Sequence, residues 1–169
     1  TETSRARIIS MGEPEERVPN TGAPGVDVLT STPRLSRAKL CDELGFDATS
    51  PIVLTVPHPV STQADHAARP VRITLEALEQ LRVQTVLVYP NNDAGSRRMI
   101  ALINEYADKA WLHVHQSLPG QLYLSLLAEC AVLLGNSSSG IIEAPVLGVP
   151  AVNIGIRQDG RERADNVID

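Results

Sequence analysis

Short apolar runs alternate with amphipathic stretches along most of the chain. IVLTV (52–56), TVLVY (85–89), AVLLG (131–135) and AVNIG (151–155) read as strands buried on both faces. WLHV (111–114) is a weaker strand and RVPN (17–20) weaker still. Between the strands, LSRAKLCDELG (35–45), VRITLEALEQL (71–81), GSRRMIALINEYA (95–107), QLYLSLLAEC (121–130) and SSGIIEAPVLG (138–148) read as helices. Gly45 and Gly148 stand where helix C-terminal glycines belong. Strands alternating with helices of this length predict βαβ units with right-handed crossovers. The expected fold class is therefore α/β, a Rossmann-like, doubly wound parallel sheet.

The flanks read differently. TETSRARIISMGEPEERV has the look of a last helix, closed by Gly12 and Pro14, and ERADNVID stops without a terminal helix. Both ends suggest a piece of a longer protein. NTGAPGVDVLTSTPR (20–34) is rich in Gly, Pro and Thr and reads as a linker. The expected division is an interdomain helix and linker over 1–30 and a nucleotide-binding domain over 31–169.

Composition narrows the function. Aromatic residues are only 3% of the 169, so the core must be aliphatic and base-stacking surfaces are scarce. The net charge of −5 argues against wholesale binding to nucleic acid, while leaving room for a small anion held locally. Cys41 and Cys130 have no motif spacing, which fits a reducing compartment. No signal peptide or membrane-spanning run is visible, so a cytoplasmic protein without membrane contact is expected.

The candidate chemistry gathers at predicted strand ends. GNSSSG (135–140) follows the strand at 131–135 and opens the next predicted helix. In open parallel sheets ligands bind outside the carboxyl ends of the strands. There a helix N-terminus offers unpaired N–H groups, Ser137, Ser138 and Ser139 add hydroxyls, and Gly140 admits a close ligand. One serine would be an ordinary cap; three with two glycines exceed that need. The P-loop and GxGxxG patterns are both absent. Glu143, one turn on, is poorly placed for phosphate but suits a sugar diol, as a nucleoside diphosphate would require. Pro145 is expected to end or kink the short helix. His58, between two prolines after the strand at 52–56, can hold or protonate a phosphate oxygen, although a lone loop histidine is usually a packing residue. Asn91, in PNNDAGS (90–96), either faces the same crevice or caps the following helix with Asn92 and Asp93. Arg157, in RQDGRER (157–163), either grips phosphate in bidentate fashion or belongs to a solvated charge cluster. His66, His113 and His115 lack metal-ligand spacing and read as surface or packing residues. A parallel sheet would bring His58, Asn91, Ser137–Ser139 and Arg157 to one edge.

Those residues, in GNSSSGIIEAPVLGVPAVNIGIRQDGR with HPV (58–60) and PNNDAGS (90–96), closely resemble the hydrolysing UDP-N-acetylglucosamine 2-epimerases. RIISMGEPEERVPNTGAPGVD (7–27) resembles that family's interdomain junction. The resemblance implies the C-terminal half of a glycosyltransferase-B-like fold (the architecture of UDP-glycosyltransferases and glycogen phosphorylase). It implies that Ser137 and Ser138 bind diphosphate and Glu143 the ribose hydroxyls. His58, Asn91 and Arg157 match further UDP-site positions, His58 with a catalytic role, and Leu118 a position near uracil. It implies conversion of UDP-N-acetylglucosamine and water to N-acetylmannosamine and UDP, through elimination to a glycal and hydration, in sialic-acid-type sugar synthesis. No metal or redox cofactor is implied, and the parent is expected to be a dimer or tetramer. The family's carboxylates for the C2 proton lie in its N-terminal domain, so this stretch alone should be inactive. A UDP-sugar glycosyltransferase and a non-catalytic nucleotide-binding module remain alternatives, as do UDP-diacetylbacillosamine or a GDP-linked sugar as substrate.

Overall fold

The computed structural model describes every residue from Thr1 to Asp169. The chain divides into two compact units, Thr1–Thr32 and Pro33–Asp169.

The first unit contains α1 (Glu2–Ser10) and α2 (Pro24–Ser31). Thr1 caps α1 by accepting the Ser4 N–H at 3.2 Å. Arg5 of α1 donates through Nε to the Val18 carbonyl at 2.8 Å and pairs with Glu15 at 2.9 Å. Those bonds hold residues 15–18, so the strand expected at 17–20 is instead a 3₁₀ turn over Glu15–Arg17 followed by chain without regular structure. The segment read as a linker contains α2. Thr30, Ser31 and Thr32 turn their hydroxyls back onto carbonyls three or four residues earlier, so residues that usually signal loops sit at the end of this helix.

The second unit is a six-stranded, wholly parallel sheet flanked by helices. Its elements are α3 (Arg37–Leu44), β1 (Ile52–Val56), α4 (Ala68–Leu81), β2 (Gln84–Val88), α5 (Ser96–Asn104), β3 (Leu112–His115), α6 (Gly120–Glu129), β4 (Val132–Gly135), β5 (Ala151–Asn153) and β6 (Val167–Ile168). The strand order is β3-β2-β1-β4-β5-β6, so the winding reverses between β1 and β4. β1 is buried along its whole length, as a central parallel strand requires.

Two aliphatic layers cover the sheet. Leu40 and Leu44 of α3 and Leu122, Leu126 and Leu127 of α6 pack with Ile52, Leu54, Val56 and Leu133. Val71 and Leu75 of α4 and Met99, Leu102 and Ile103 of α5 pack with Leu87 and Leu112. In α4 the buried residues Val71, Thr74, Leu75 and Leu78 make one stripe of helical period. Pro70 falls in its first turn, where no N–H is needed, so α4 starts before the position at which the apolar stripe begins. Gly95, at φ +99°, leads into α5, and a Cβ there would lie 2.8 Å from the Ala67 Cβ. β6 is only two residues long, and its pairing to β5 is supported from outside the strand. The Asn166 amide donates to the carbonyls of Gly140 (3.1 Å) and Val149 (3.0 Å), and Asp169 accepts from the Asn153 Nδ2 at 2.7 Å and pairs with Arg163.

The helix expected over 138–148 is absent. A 3₁₀ turn covers Ser138–Gly140 and a second covers Pro145–Leu147. Between them Ile142, Glu143 and Ala144 donate to the carbonyls of Ser138 and Ser139, a single helical turn. Pro145 opens the second 3₁₀ turn, because a proline ring is compatible with a first turn and not with a continued helix.

Candidate functional site

The ladder between β1 and β4 ends at the pair Val56–Gly135. Gly135 has φ +135°, and a Cβ there would stand 2.7 Å from the Val56 carbonyl oxygen, so only glycine lets the two chains approach this closely. Immediately beyond, the Asn136 side chain takes over from the ladder. Its Oδ1 accepts the His58 N–H at 2.7 Å and its Nδ2 donates to the His58 carbonyl at 2.8 Å. The Asn136 carbonyl accepts from Arg157 Nη1 at 3.1 Å and from Gln158 Nε2 at 2.7 Å. The loop after β2 joins through the Asn91 N–H, which donates to His58 Nδ1 at 3.2 Å. Loops following β1, β2, β4 and β5 therefore meet through direct hydrogen bonds at the carboxyl edge.

Of the expected residues, His58, Asn91 and Arg157 are drawn together by this network, with Ser137–Ser139 next in the chain after Asn136. The Asn91 side chain donates to Asp93 Oδ2 at 2.6 Å, whereas α5 is entered through Gly95 without a side-chain cap. Capping is thus not what Asn91 does. Leu118, in the loop after β3, is half-buried against the layer of α3 and α6, and no hydrogen bond links it to the network.

Because 138–148 is not an α-helix, an extended row of peptide dipoles does not stand behind the serines, and their donors act locally. Ser137 Oγ accepts the Ser139 N–H at 3.3 Å. Ser139 Oγ is 2.9 Å from the Tyr123 hydroxyl, which reaches across from α6. The Ser138 hydroxyl has no partner within the chain. Gly140 is buried, and the space of its missing Cβ faces Ala151 Cβ at 3.3 Å and Leu133 at 3.6 Å, so its smallness serves packing of the turn onto the sheet. Glu143 is half-buried, and its Oε2 is buried without a hydrogen-bond partner. An enclosed carboxylate oxygen without a partner is unfavourable where it stands, and the Glu143 side chain must turn for that oxygen to meet a ligand's hydroxyls.

Burial, reinforced by the Arg157 charge and opposed by Asp93, pushes the His58 imidazole down to about 4. The ring is neutral near pH 7. Since Nδ1 accepts from Asn91, the proton lies on Nε2, which is a donor. Arg157 spends only Nη1 on Asn136, and its other guanidinium N–H groups lack partners within the chain. Burial also raises the Tyr123 hydroxyl above its usual range, against the pull of its Ser139 hydrogen bond. A neutral N–H donor, a guanidinium with free N–H groups and a hydroxyl-rich turn on one edge are groups whose chemistry can hold an oxyanion. Beneath it lies a cavity of about 50 Å³ bounded by His58, Asn136, His66 and Thr55, whose buried Oγ1 has no partner. His113 stacks edge-on against Phe46 at 4.3 Å, a packing role.

Sequence reasoning missed Asn136, Gln158 and Tyr123. Asn136 lies within the motif itself, and an amide directly after a strand-ending glycine was the available signal. Gln158 and Tyr123 carried none, being set apart only by contacts distant in sequence.

The family described as UDP-N-acetylglucosamine 2-epimerase matches residues 1–168. The chain is 37% identical over 169 residues to a hydrolysing UDP-N,N'-diacetylbacillosamine 2-epimerase of Legionella pneumophila, covering 100% of this chain and 45% of that protein. It is 30% identical over 169 residues to a UDP-N-acetylglucosamine 2-epimerase of Neisseria meningitidis, covering 99% and 44%. The chain thus spans less than half the length of these relatives. Among solved structures, the Neisseria meningitidis UDP-GlcNAc 2-epimerase bound to UDP-GlcNAc superposes with a TM-score of 0.73 at 17% identity, over 90% of this chain and 42% of that one. The Methanocaldococcus jannaschii UDP-GlcNAc 2-epimerase gives 0.67 at 16%, over 99% and 49%. These likenesses bear on fold, and they agree with the Rossmann-like half of a glycosyltransferase-B-like architecture.

Proposed function

The chain belongs to the UDP-N-acetylglucosamine 2-epimerase family, and from that membership we propose that residues 33–169 are the nucleotide-binding half of a hydrolysing epimerase. The observation that carries the reading is the hydrogen-bonded meeting of four strand-end loops around Asn136, beside a turn bearing three serines. In this reading the diphosphate lies against Ser137, Ser138 and Ser139, turned so that His58 Nε2–H and Arg157 reach its oxygens. Glu143 accepts from the ribose hydroxyls, and the base lies toward Leu118. Asn91 acts by holding the His58 ring, and Gly140 by seating the turn.

The reaction begins with loss of the C2 proton and cleavage of the C1–O bond, which releases UDP and leaves a glycal. Water then adds, its hydroxyl to C1 and a proton to C2 on the opposite face. This half supplies the grip on the departing diphosphate. A neutral His58 donor and Arg157 favour the charge that develops on the leaving oxygen. The carboxylates that move the C2 proton are assigned to the portion of the relatives that this chain does not span, so the 169 residues alone bind nucleotide without turnover.

The deciding experiment incubates the full-length protein, without acceptor, with UDP-N-acetylglucosamine, UDP-N,N'-diacetylbacillosamine and a GDP-linked counterpart, and identifies the free sugar by NMR. Release of a C2-inverted sugar with UDP is expected. A protein that is silent until an acceptor is added is a transferase, and one that binds UDP and never turns over is a binding module.

A further inference from the structure

We propose that Asn136 is the positioning residue of this site: without touching the ligand, it fixes the His58 loop and the Arg157 loop relative to the serine turn before ligand arrives. The inference deepens the nucleotide-site reading and rests on it.

The argument starts where regular pairing stops. Past Val56 and Gly135 no backbone ladder joins β1 and β4. The Asn136 amide replaces one rung of it, accepting from the His58 N–H at 2.7 Å and donating to the His58 carbonyl at 2.8 Å. A primary amide provides donor and acceptor on one planar group. A carboxylate lacks the donor, and glutamine is one methylene too long. Asn136 is 8% exposed, and both its side chain and its carbonyl are engaged inside the protein, so it has little to offer a ligand directly.

Its carbonyl accepts two donors at once. Gln158 is 1% exposed, and its Oε1 has no partner, so an amide is buried here with only half its capacity used. Leaving a buried acceptor unpaired is unfavourable. What the amide accomplishes is the 2.7 Å bond that holds the loop after β5 to Asn136. Arg157 is the preceding residue in the chain and is held to the same carbonyl at 3.1 Å. On the other side, the His58 ring is oriented by the Asn91 N–H, a bond that depends on where Asn136 puts the His58 backbone. One residue therefore spaces these groups: its side chain sets where the histidine donor stands and its backbone carbonyl where the guanidinium stands, both relative to Ser137, its own neighbour. A receptor built this way loses little freedom when an anion binds, which is the origin of its affinity.

The test compares wild type, Asn136→Ala, Asn136→Asp and Gln158→Met in the full chain. Two readouts need no ligand: hydrogen exchange of the His58 and Asn91 backbone amides, and the pH titration of the His58 ring by ¹⁵N NMR, with Arg157 and Asp93 the charges that face it. The third is UDP affinity by calorimetry. In folded Asn136→Ala both amides should exchange about tenfold faster or more, the ring should titrate about one pH unit nearer its ordinary value, and UDP should bind about tenfold more weakly. Asn136→Asp keeps the acceptor and should restore protection of the His58 N–H without restoring affinity. Gln158→Met should loosen residues 157–161 and weaken UDP by a smaller factor, with the His58 amide unchanged. A folded Asn136→Ala protein with wild-type exchange and titration at His58 overturns the proposal, as does one with wild-type UDP affinity. If Asn136→Ala does not fold, Gln158→Met decides, and undiminished affinity in that variant overturns it. A wild-type protein that binds no UDP refutes the nucleotide reading instead, while the two ligand-free readouts still decide whether Asn136 holds His58.

Discussion

The hydroxyl of Tyr123, on α6, stands 2.9 Å from the Oγ of Ser139, on the turn that follows β4. This bond ties the serine turn to the helix packed beneath it and orients one of the three hydroxyls. Tyr123→Phe keeps the ring packing and removes the bond. It is expected to weaken UDP binding by about 0.5–1.5 kcal/mol, the usual net value of a neutral hydrogen bond. Calorimetry giving wild-type affinity would detach Tyr123 from the site.

Ser138 differs from its neighbours in having a hydroxyl with no partner in the chain, whereas Ser137 and Ser139 are both engaged. It is the hydroxyl most available to a ligand. Ser138→Ala should weaken UDP by about 1–3 kcal/mol, the range for a bond to a charged group, and leave the melting temperature nearly unchanged. An equal affinity in both proteins removes Ser138 from the diphosphate contact.

The buried, unpartnered Oε2 of Glu143 leads to a comparison between ligands. Glu143→Gln halves the acceptor capacity and removes the charge. UDP, which has a ribose diol, should lose more affinity than pyrophosphate, which has none. Equal losses, or a larger loss for pyrophosphate, would contradict the ribose assignment.

His58 predicts a pH dependence. The free imidazole takes its proton near pH 6.5 and the folded one near 4, because burial and then Arg157 disfavour the charged ring. Between those values the unfolded chain holds more protons at this position, so the stability His58 contributes is complete above about 6.5 and is lost as pH falls toward 4. Urea unfolding at steps across that window should show the decline, and His58→Gln should flatten part of it. Identical profiles for the two proteins would mean that the ring titrates normally in the folded state.

Gly135 links fold to site. Its φ of +135° and the Val56 oxygen 2.7 Å from a hypothetical Cβ make any side chain here doubly unfavourable. Gly135→Ala should cost at least about 1–3 kcal/mol of stability, since strained backbone and displaced strand ends both contribute. A chemical melt within a few tenths of wild type would show that β1 and β4 can separate at their ends without penalty.

Much of the framework was legible along the chain. β1 was read with its observed ends, and β2, β3, β4 and β5 to within a residue or two, because strands buried on both faces are continuous apolar runs whose signal is local. α3, α4, α5 and α6 announced themselves by periodicity, and the serine turn by its composition after a strand. Two elements, α2 and β6, escaped, the first for its Thr, Ser and Gly content and the second for its length of two residues. The helix over 138–148 was overcalled, since an apolar period persists there although Pro145 and packing against β5 break it into separate turns.

What the sequence by itself determined is the layered sheet and the kind of chemistry at its edge: hydroxyls, an imidazole, a carboxylate and a guanidinium, each after its own strand. Tertiary structure alone decided how those groups are held. His58 and Asn136 are 78 residues apart in the chain, and Asn136 and Gln158 are 22 apart. Periodicity within a window encodes which face of an element is buried. It does not encode which amide meets which carbonyl once strands from distant parts of the chain lie side by side.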